Sequence, residues 1–359
     1  MPNSNKPMKF SSFHLFHGFE GMSHQEVYRR NIEIIELLEE LEFDGVWGSE
    51  HHFRDYGLLP SITQLLAHLA ARTEKLRLGT GIVVLPLHNP IQVAEEIAQL
   101  DVLSGGRVDF GIGRGYQSSE FDGHGVSLSE ARERFNESLD IILNAWNNDS
   151  IPAFEGEFYS HGALRLMPKH LQTPHPPVYV AAVSPETVEI YAKRGIPIIV
   201  DPSTPFRKIH RAAEVWRTTA TDAGHDIDGH DLIVSRQVWA APTNEKARED
   251  MIRFDKSFDR DRIFNEGSAP IDSKTNEVAK GFEFWQGRYL KGGKVDTDFR
   301  WDYQEVIGDP ERVIGQIQDL QAAGYNHLMC DFLGLRTAEV DEFKKQIRFF
   351  AKEIMPAFR

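Results

Sequence analysis

The sequence predicts a single α/β domain over residues 1–359, a (β/α)8 TIM barrel with insertions. Short apolar, β-rich runs alternate with amphipathic helical runs along the chain, and eight strand–helix units can be counted. Strict alternation indicates parallel strands, because parallel neighbours need a crossover helix between them. Eight units in 359 residues favour a closed barrel over an open, doubly wound sheet.

The first four units occupy residues 9–146. A strand over 9–16 precedes a helix that begins at residue 24, with Ser23 as its N-cap, and ends before Gly45. Glycine-rich and polar residues 114–128 predict a loop. The other strands are expected over 45–50, 76–86 and 107–113, and their helices over 60–72, 90–103 and 129–146.

The second four units repeat the pattern after residues 151–176, which indicate a loop or small hairpin. Ser184 is the expected N-cap of a helix that has Pro185 at its first position. Residues 253–304 are polar and poorly periodic. Strands are expected over 177–183, 196–200, 231–241 and 326–332, and helices over 184–195, 205–224, from about 244, over 309–326 and over 338–354.

Composition excludes several classes of function. The formal net charge of −14 argues against a nucleic-acid partner, which needs clustered Lys and Arg. Glycine and proline interrupt the longest uncharged run, residues 78–94, so no membrane span is expected. The first ten residues lack an apolar export signal, which favours a cytoplasmic protein. A single cysteine, Cys330, excludes an internal disulfide and a CxxC motif.

The predicted strands end in polar or glycine-rich residues. In a (β/α)8 barrel the active site lies at the carboxyl ends of the strands, so we expect these residues to share one large pocket. They are His14, His17, residues 50–52, 79–81, 111–115 and 182–187, Asp201, residues 236–239 and Asp331.

The stretch 49-SEHHFRDYG-57 raises the question of a metal site. Adjacent residues of a strand point to opposite sides, so His51 and His52 cannot easily bind one ion, and we expect no metal. A barrel metallohydrolase is the alternative. A nucleophilic triad lacks its GxSxG motif, whereas paired carboxylates for glycoside hydrolysis remain open, with Glu50 as the strand-end carboxylate.

Two segments are candidates for binding a phosphate. In 110-FGIGRGYQ-117 small residues allow backbone amides to approach an anion, and Arg114 could pair with it. Ser184 to Thr187 open a helix, whose N-terminus attracts anions. The alternatives are a tight turn for the first segment and a plain N-cap for the second.

Five runs together carry a resemblance to a known family. They are 46-VWGSEHHFRDYGLLP-60, 78-LGTGIVVLPLHNP-90, 94-AEEIAQLDVLSGGRVDFGIGRGY-116, 180-VAAVSPETVEIYAKRGIPII-199 and 308-GDPERVIGQIQDLQAAG-324. The chain resembles the bacterial luciferase-like flavin-dependent monooxygenases over residues 8–245 and 305–335. The barrel fold of that family agrees with the independent count of strand–helix units.

The resemblance implies an enzyme in which reduced, dissociable FMN reacts with O2 to a flavin C4a-peroxide that oxygenates a small organic substrate. His51 matches the catalytic histidine, which exchanges protons, while Glu50 and His52 are expected to brace the scaffold. The flavin ring is expected against Thr80, Gly81 and Ile82, with a cis peptide bond between the last two. The phosphate end and its surroundings are assigned to Arg114, Gly115, Tyr116, Ala182, Val183, Ser184 and Thr187.

Further expectations follow from the resemblance. A separate reductase supplies the reduced flavin, the chain forms a homodimer, and residues 253–304 form either a mobile lid or a solvated excursion. In a lid, Arg262, Trp285 or Arg288 would reach the site. Gly113 replaces the reactive cysteine of the light-emitting relative, which argues against bioluminescence, and Val183 replaces an acidic residue. A deazaflavin-dependent hydride-transfer enzyme and a non-catalytic flavin-binding protein remain alternatives, and the substrate and reaction subtype stay open.

Overall fold

Eight parallel strands form the closed barrel of this protein, in a computed structural model that describes residues 6–18, 21–257, 297–336 and 340–359. Each strand pairs with the next in the chain, and the eighth pairs with the first, which closes the barrel. The predicted (β/α)8 fold is therefore confirmed. The strands are β1 (Lys9–His14), β2 (Gly45–Gly48), β3 (Arg77–Thr80), β4 (Val108–Gly113), β5 (Val178–Ala181), β6 (Ile198–Val200), β7 (Ile233–Ala240) and β8 (His327–Phe332).

Helices connect the strands and cover the outside of the barrel. The side chains of Ser23, Asn89, Ser184 and Asp309 accept hydrogen bonds from first-turn amides and so fix where four helices begin. The helices are α1 (His24–Glu40), α2 (Ile62–Ala70), α3 (Pro90–Ser104), α4 (Ser118–His124), α5 (Ala131–Asn147), α6 (Pro185–Ala192), α7 (Phe206–Asp222), α8 (Asn244–Ser257), α9 (Thr297–Tyr303), α10 (Pro310–Ala323) and α11 (Val340–Glu353).

The barrel interior is filled by apolar side chains that alternate along the strands. Its cluster comprises Phe13, Leu15, Trp47, Tyr179, Ile199, Ile233 and Met329. The Trp47 indole needs a glycine beside it, because a Cβ on Gly79 would lie 2.1 Å from its Cδ2 atom. A packed interior leaves the carboxyl-end mouth as the place where a ligand can approach the strands.

The structure corrects several predicted elements. Residues 76–86, predicted as one strand, divide into β3, a short strand Val83–Val84 that pairs with β4, and the 3-10 helix Leu85–Leu87. Residues 114–128 contain α4 rather than only a loop. A short strand, Val306–Gly308, pairs with β7 and was not predicted. The hairpin expected within 151–176 is present as Phe154–Glu155 and Ser160–His161.

The predicted insertion, residues 253–304, is helical at both ends. Its first residues belong to α8 and its last form α9, while Arg262, Trp285 and Arg288 lie outside the described residues. Arg300 of α9 is buried and donates a hydrogen bond from Nη2 to Gln237 Oε1 of β7 at 3.2 Å. Helix α9 thus packs against the barrel at a residue within β7. Within the described ranges, the helices are too short or too polar to cross a bilayer.

Candidate active site

The alternation of side chains at the end of β2 separates the members of the EHH motif. Trp47 points into the barrel, and His51, four residues later, packs its ring 4.6 Å from the Tyr56 ring, which itself covers the interior cluster. Glu50 and His52, just beyond the end of β2, instead form a hydrogen bond with each other. His51 is therefore the member of the pair that faces the mouth.

Two hydrogen bonds orient the His51 imidazole. Nδ1 lies 2.9 Å from Glu120 Oε1, and this oxygen also accepts the backbone N–H of His52 at 3.0 Å. Glu120 Oε1 acts as an acceptor in both contacts, so the ring proton of His51 lies on Nδ1 and the lone pair lies on Nε2. The Ser49 hydroxyl, 3.1 Å away, donates to Nε2. The His51 imidazole thus has a defined orientation.

Helix α4 and the residue before it supply partners of His51 that were not predicted from the sequence. Glu120 lies in its first turn with its side chain 2% exposed, and the side-chain amide of Gln117, the residue before the helix, packs beside the His51 ring. The glycines Gly123 and Gly125 made this segment resemble a loop. The only signal in the sequence is an amide and a carboxylate, Gln117 and Glu120, that follow shortly after the FGIGRGY run.

Glu50 forms a buried brace between the end of β2 and the segment after β3. Its Oε1 accepts from His52 Nε2 at 2.9 Å and from His88 Nε2 at 2.7 Å, while Oε2 accepts the Val84 N–H at 3.0 Å. Burial raises the pKa of the Glu50 carboxyl, but the hydrogen bonds from both histidines and Val84 outweigh it and lower the pKa to about 2. Burial lowers the pKa of His88, and the bond to Glu50 reverses this, so the net shift is upward.

The segment predicted to contact the flavin ring lies at the end of β3. Thr80 is buried and donates from Oγ1 to the Gly111 carbonyl at 2.6 Å. The Gly81–Ile82 peptide bond is cis, as the resemblance implied. The Ile82 side chain is half-buried, and its Cδ1 would lie 2.2 Å from a Cβ placed on Gly113. Glycine at 113 thus leaves room for Ile82 rather than for a reactive side chain.

The two predicted phosphate segments lie on adjacent strand ends. Gly111 of β4 pairs with Tyr179 of β5 and Ile112 pairs with Val180, so the residues that follow each strand are neighbours. These residues include Arg114, Gly115 and Tyr116 after β4, and Ala182, Val183, Ser184 and Thr187 after β5, all at least partly exposed.

Contacts within these segments agree with this placement. Burial raises the pKa of Tyr191 of α6 to about 12, and the nearby positive charge of Arg114 opposes this shift. Gly115 has a φ of 74°, a left-handed conformation that favours glycine. Ser184 caps α6 by accepting the Thr187 N–H at 3.3 Å, and its hydroxyl contacts Thr187 Oγ1 at 2.9 Å. Ser184 is therefore an N-cap, with its hydroxyl exposed at the helix N-terminus.

Some predicted pocket residues point away from the mouth, which corrects the expectation that all strand ends converge. His14 Nδ1 contacts Asn31 Oδ1 of α1 at 3.0 Å, and burial lowers its pKa to about 4. Arg236 packs 5.6 Å from the centre of the Phe206 ring on α7. These two residues occupy outward-facing positions of β1 and β7, because each packs against a covering helix. Neighbouring side chains of a strand point to opposite sides, so only some residues near each strand end can face the mouth.

The closed barrel, with an oriented histidine and a cation-bearing loop at the carboxyl ends of its strands, has the architecture of a (β/α)8-barrel enzyme. The sequence profile of the luciferase-like monooxygenases matches residues 8–327. The chain belongs to the luciferase-like monooxygenase family.

Two curated relatives match nearly the whole chain. The alkanal monooxygenase alpha chain of the Kryptophanaron alfredi symbiont is 30% identical over 357 residues, which cover 97% of this chain and 98% of the relative. The oxygenase component of the flavin-dependent trigonelline monooxygenase of Acinetobacter baylyi is 28% identical and covers 98% of this chain and 96% of its own. Both names describe monooxygenases, so this chain is an enzyme of that class.

Solved structures share the fold. The monooxygenase RslO1 from Streptomyces bottropensis superposes with a TM-score of 0.81 at 25% identity, covering 98% of this chain and 100% of its own. The oxygenating constituent of 3,6-diketocamphane monooxygenase from Pseudomonas putida, in complex with FMN, has a TM-score of 0.75 at 19% identity, with coverage of 98% and 99%. An F420-dependent secondary alcohol dehydrogenase reaches 0.74 at 18% identity, also covering 98% and 99%. The last two show the fold alone.

Proposed function

We propose that this chain is the oxygenase component of a two-component monooxygenase that binds reduced FMN as a dissociable co-substrate and transfers one atom of O2 to a small organic substrate. The observation that carries the proposal is the oriented His51 imidazole at the barrel mouth, with Nδ1 held by Glu120 and Nε2 directed to Ser49. Family membership over residues 8–327 supports the reaction class.

The residues at the mouth fit a flavin mononucleotide. Thr80 to Ile82 present backbone and one aliphatic side chain as a surface for a flat ring, and Gly113 adds no side chain beside it. A cation, Arg114, and the N-terminus of α6 lie on the two adjacent strand ends that follow, as a phosphate requires. When bound, reduced FMN supplies the electrons that activate O2.

The chemical task assigned to His51 is proton transfer. Because Glu120 holds the ring proton on Nδ1, Nε2 can take up a proton released at the reacting centre and return it later. The Ser49 hydroxyl at 3.1 Å can rotate away from Nε2 or relay the proton. Glu120 acts through His51 and is a positioning residue, because its carboxylate stabilises the imidazole when that ring is doubly protonated.

The anchoring of the cofactor is assigned to the second pair of segments. Arg114 would pair with the phosphate oxygens, and Gly115 and Tyr116 would shape the loop around them. Ser184 and Thr187 would add hydroxyl donors at the α6 N-terminus, with Ala182 and Val183 lining the approach. Because these contacts are an ion pair and hydrogen bonds, the cofactor can dissociate. Reversible binding suits reduced flavin that a separate reductase delivers.

The remaining parts of the proposal concern the assembly. The lid predicted for residues 253–304 falls mainly on residues 258–296, which lie outside the described residues. We further propose a cytoplasmic homodimer.

A panel of aldehydes, ketones, aromatic compounds and heteroatom-containing compounds, supplied with reduced FMN and 18O2, tests the proposal. We expect one class of compound to gain a single 18O atom, in a yield that depends on the protein. The same panel with reduced deazaflavin and without O2 tests the hydride-transfer alternative. Product formation only in the deazaflavin reactions would contradict the monooxygenase assignment.

A further inference from the structure

The strongest feature that the proposed reaction does not use is the cluster of Glu50, His52 and His88 between the end of β2 and the segment after β3. Glu50 Oε1, His52 Nε2 and His88 Nε2 lie within 4.8 Å of one another. We propose that these three side chains bind a divalent transition-metal ion, with Zn²⁺ as the best-fitting probe, at a non-catalytic site that stabilises the end of β2.

The donor set matches the chemistry of such ions. Two imidazole nitrogens and one carboxylate oxygen form the ligand set of many zinc and iron sites, and each bonds zinc at about 2.0–2.2 Å. Glu50 Oε1 already lies 2.9 Å from His52 Nε2 and 2.7 Å from His88 Nε2. An ion between them requires the donors to separate by only about 0.5 Å, to the roughly 3.3 Å spacing of tetrahedral ligands.

The backbone brings the ligands together in a way that the adjacent pair His51–His52 cannot. Glu50 and His52 are two residues apart just beyond the end of β2, and their side chains meet at 2.9 Å. His88 comes from the turn between the short strand Val83–Val84 and α3, where it follows the 3-10 helix Leu85–Leu87. His88 lies 36 positions beyond His52, so no local sequence motif marks it as a ligand.

The surroundings supply the other requirements of a metal site. The Glu50 and His52 side chains are 1% and 6% exposed, so few waters compete for them, whereas His88 is 30% exposed and leaves one side open. An ion can enter there and keep a water as its fourth ligand. The Val84 N–H binds Glu50 Oε2 at 3.0 Å, which orients the carboxylate from behind, as outer hydrogen bonds do at metal sites.

The position of the site defines its role. His51 binds Glu120 and Ser49 and is not part of this ligand set, so the ion would not contact the His51 imidazole. It would join the end of β2 to the turn that follows the Thr80–Ile82 segment. Binding of the ion to the folded state alone would raise the thermal stability of the chain.

Isothermal titration of the full-length, chelator-treated protein with ZnCl2, without flavin, tests the proposal. We expect one ion per chain, a rise of a few degrees in Tm, and visible absorption bands of a tetrahedral complex when Co²⁺ replaces Zn²⁺. Glu50→Gln and His88→Ala should each weaken binding by at least about 100-fold, because outer-sphere partners alone are worth about 10–100-fold. His68→Ala, at an exposed histidine of α2, serves as the matched control and should bind as the parent does.

Flavin is absent from these titrations, so their result does not depend on whether the proposed monooxygenase reaction is correct. His88 is partly exposed, so His88→Ala remains informative if Glu50→Gln proves unstable. Undiminished zinc binding in His88→Ala, an equal loss in His68→Ala, or no saturable binding below about 100-fold molar excess would each overturn the proposal. The cluster would then be a hydrogen-bonded brace only.

Discussion

Replacing Glu120 by glutamine removes a charge from the partner of His51 and leaves its shape. In the parent, Glu120 Oε1 lies 2.9 Å from His51 Nδ1 and accepts the His52 N–H at 3.0 Å. The glutamine amide can keep both contacts through its oxygen. It cannot offer His51 a charge-assisted hydrogen bond, so a doubly protonated imidazole loses its counter-charge.

The size of the effect follows from that difference. A hydrogen bond to a charged group contributes about 1.5–3 kcal/mol, against about 0.5–1.5 kcal/mol for a neutral one. The loss of about 1.4 kcal/mol, applied to the proton-transfer step, lowers its rate about tenfold. We therefore expect Glu120→Gln to reduce kcat for coupled product formation about tenfold and the Kd for FMN to change by less than about threefold.

The assay measures product formed per reduced FMN consumed, with the most active compound of the substrate panel, and FMN binding by flavin fluorescence. Glu133→Gln, an exposed carboxylate of α5, provides the matched control and should behave as the parent. An unchanged kcat in Glu120→Gln would refute the positioning role. A large loss of FMN binding with unchanged kcat would instead assign Glu120 to cofactor binding.

Three further predictions concern other residues. Arg114→Ala should raise the Kd for FMN by at least about tenfold and leave riboflavin binding nearly unchanged, because a charge-assisted pair is lost only with the phosphate; equal losses for both flavins would contradict the assignment. Gly113→Ala should weaken FMN binding about fivefold by displacing the Ile82 side chain, and adding Ile82→Val, which lacks the clashing Cδ1, should restore it in the same fluorescence assay. Because the folded-state pKa of Glu50 is lowered to about 2, its carboxylate stabilises the fold above pH 4.5 and this stabilisation is lost as the pH falls toward 2. Urea unfolding should show Glu50→Gln to be about 3 kcal/mol less stable than the parent at pH 7, with a smaller difference at pH 3; a constant difference would contradict the linkage.

Much of the fold follows from the sequence because its signals are local. Ser23, Ser184 and Pro185 mark helix starts, and both serines cap their helices as predicted. The division of residues 76–86 was not predictable from apolarity, because Gly81 and Val83 suit an unbroken strand equally well. Helix α4 was missed because it is only seven residues long and ends at glycines, so helical periodicity has too few turns to register.

The candidate site was predictable only in its strand-end residues. His51 and the two segments around Arg114 and Ser184 follow strands directly, so the barrel topology alone places them at one end. Glu120 and His88 reach their partners across 69 and 38 positions of sequence. Such contacts depend on how α4 and the turn before α3 pack, and one sequence carries no local signal of that packing.

The most direct test of the central claim is the reaction of the protein–reduced FMN complex with O2 in a stopped-flow spectrophotometer. We predict a transient near-ultraviolet absorbance, distinct from reduced and oxidised FMN, that persists for longer with the parent protein than with free flavin. Arg114→Ala should lose this transient at low FMN concentration and regain it at high concentration. Oxidation of FMN at the rate of free flavin, together with tight binding of reduced deazaflavin, would contradict the account.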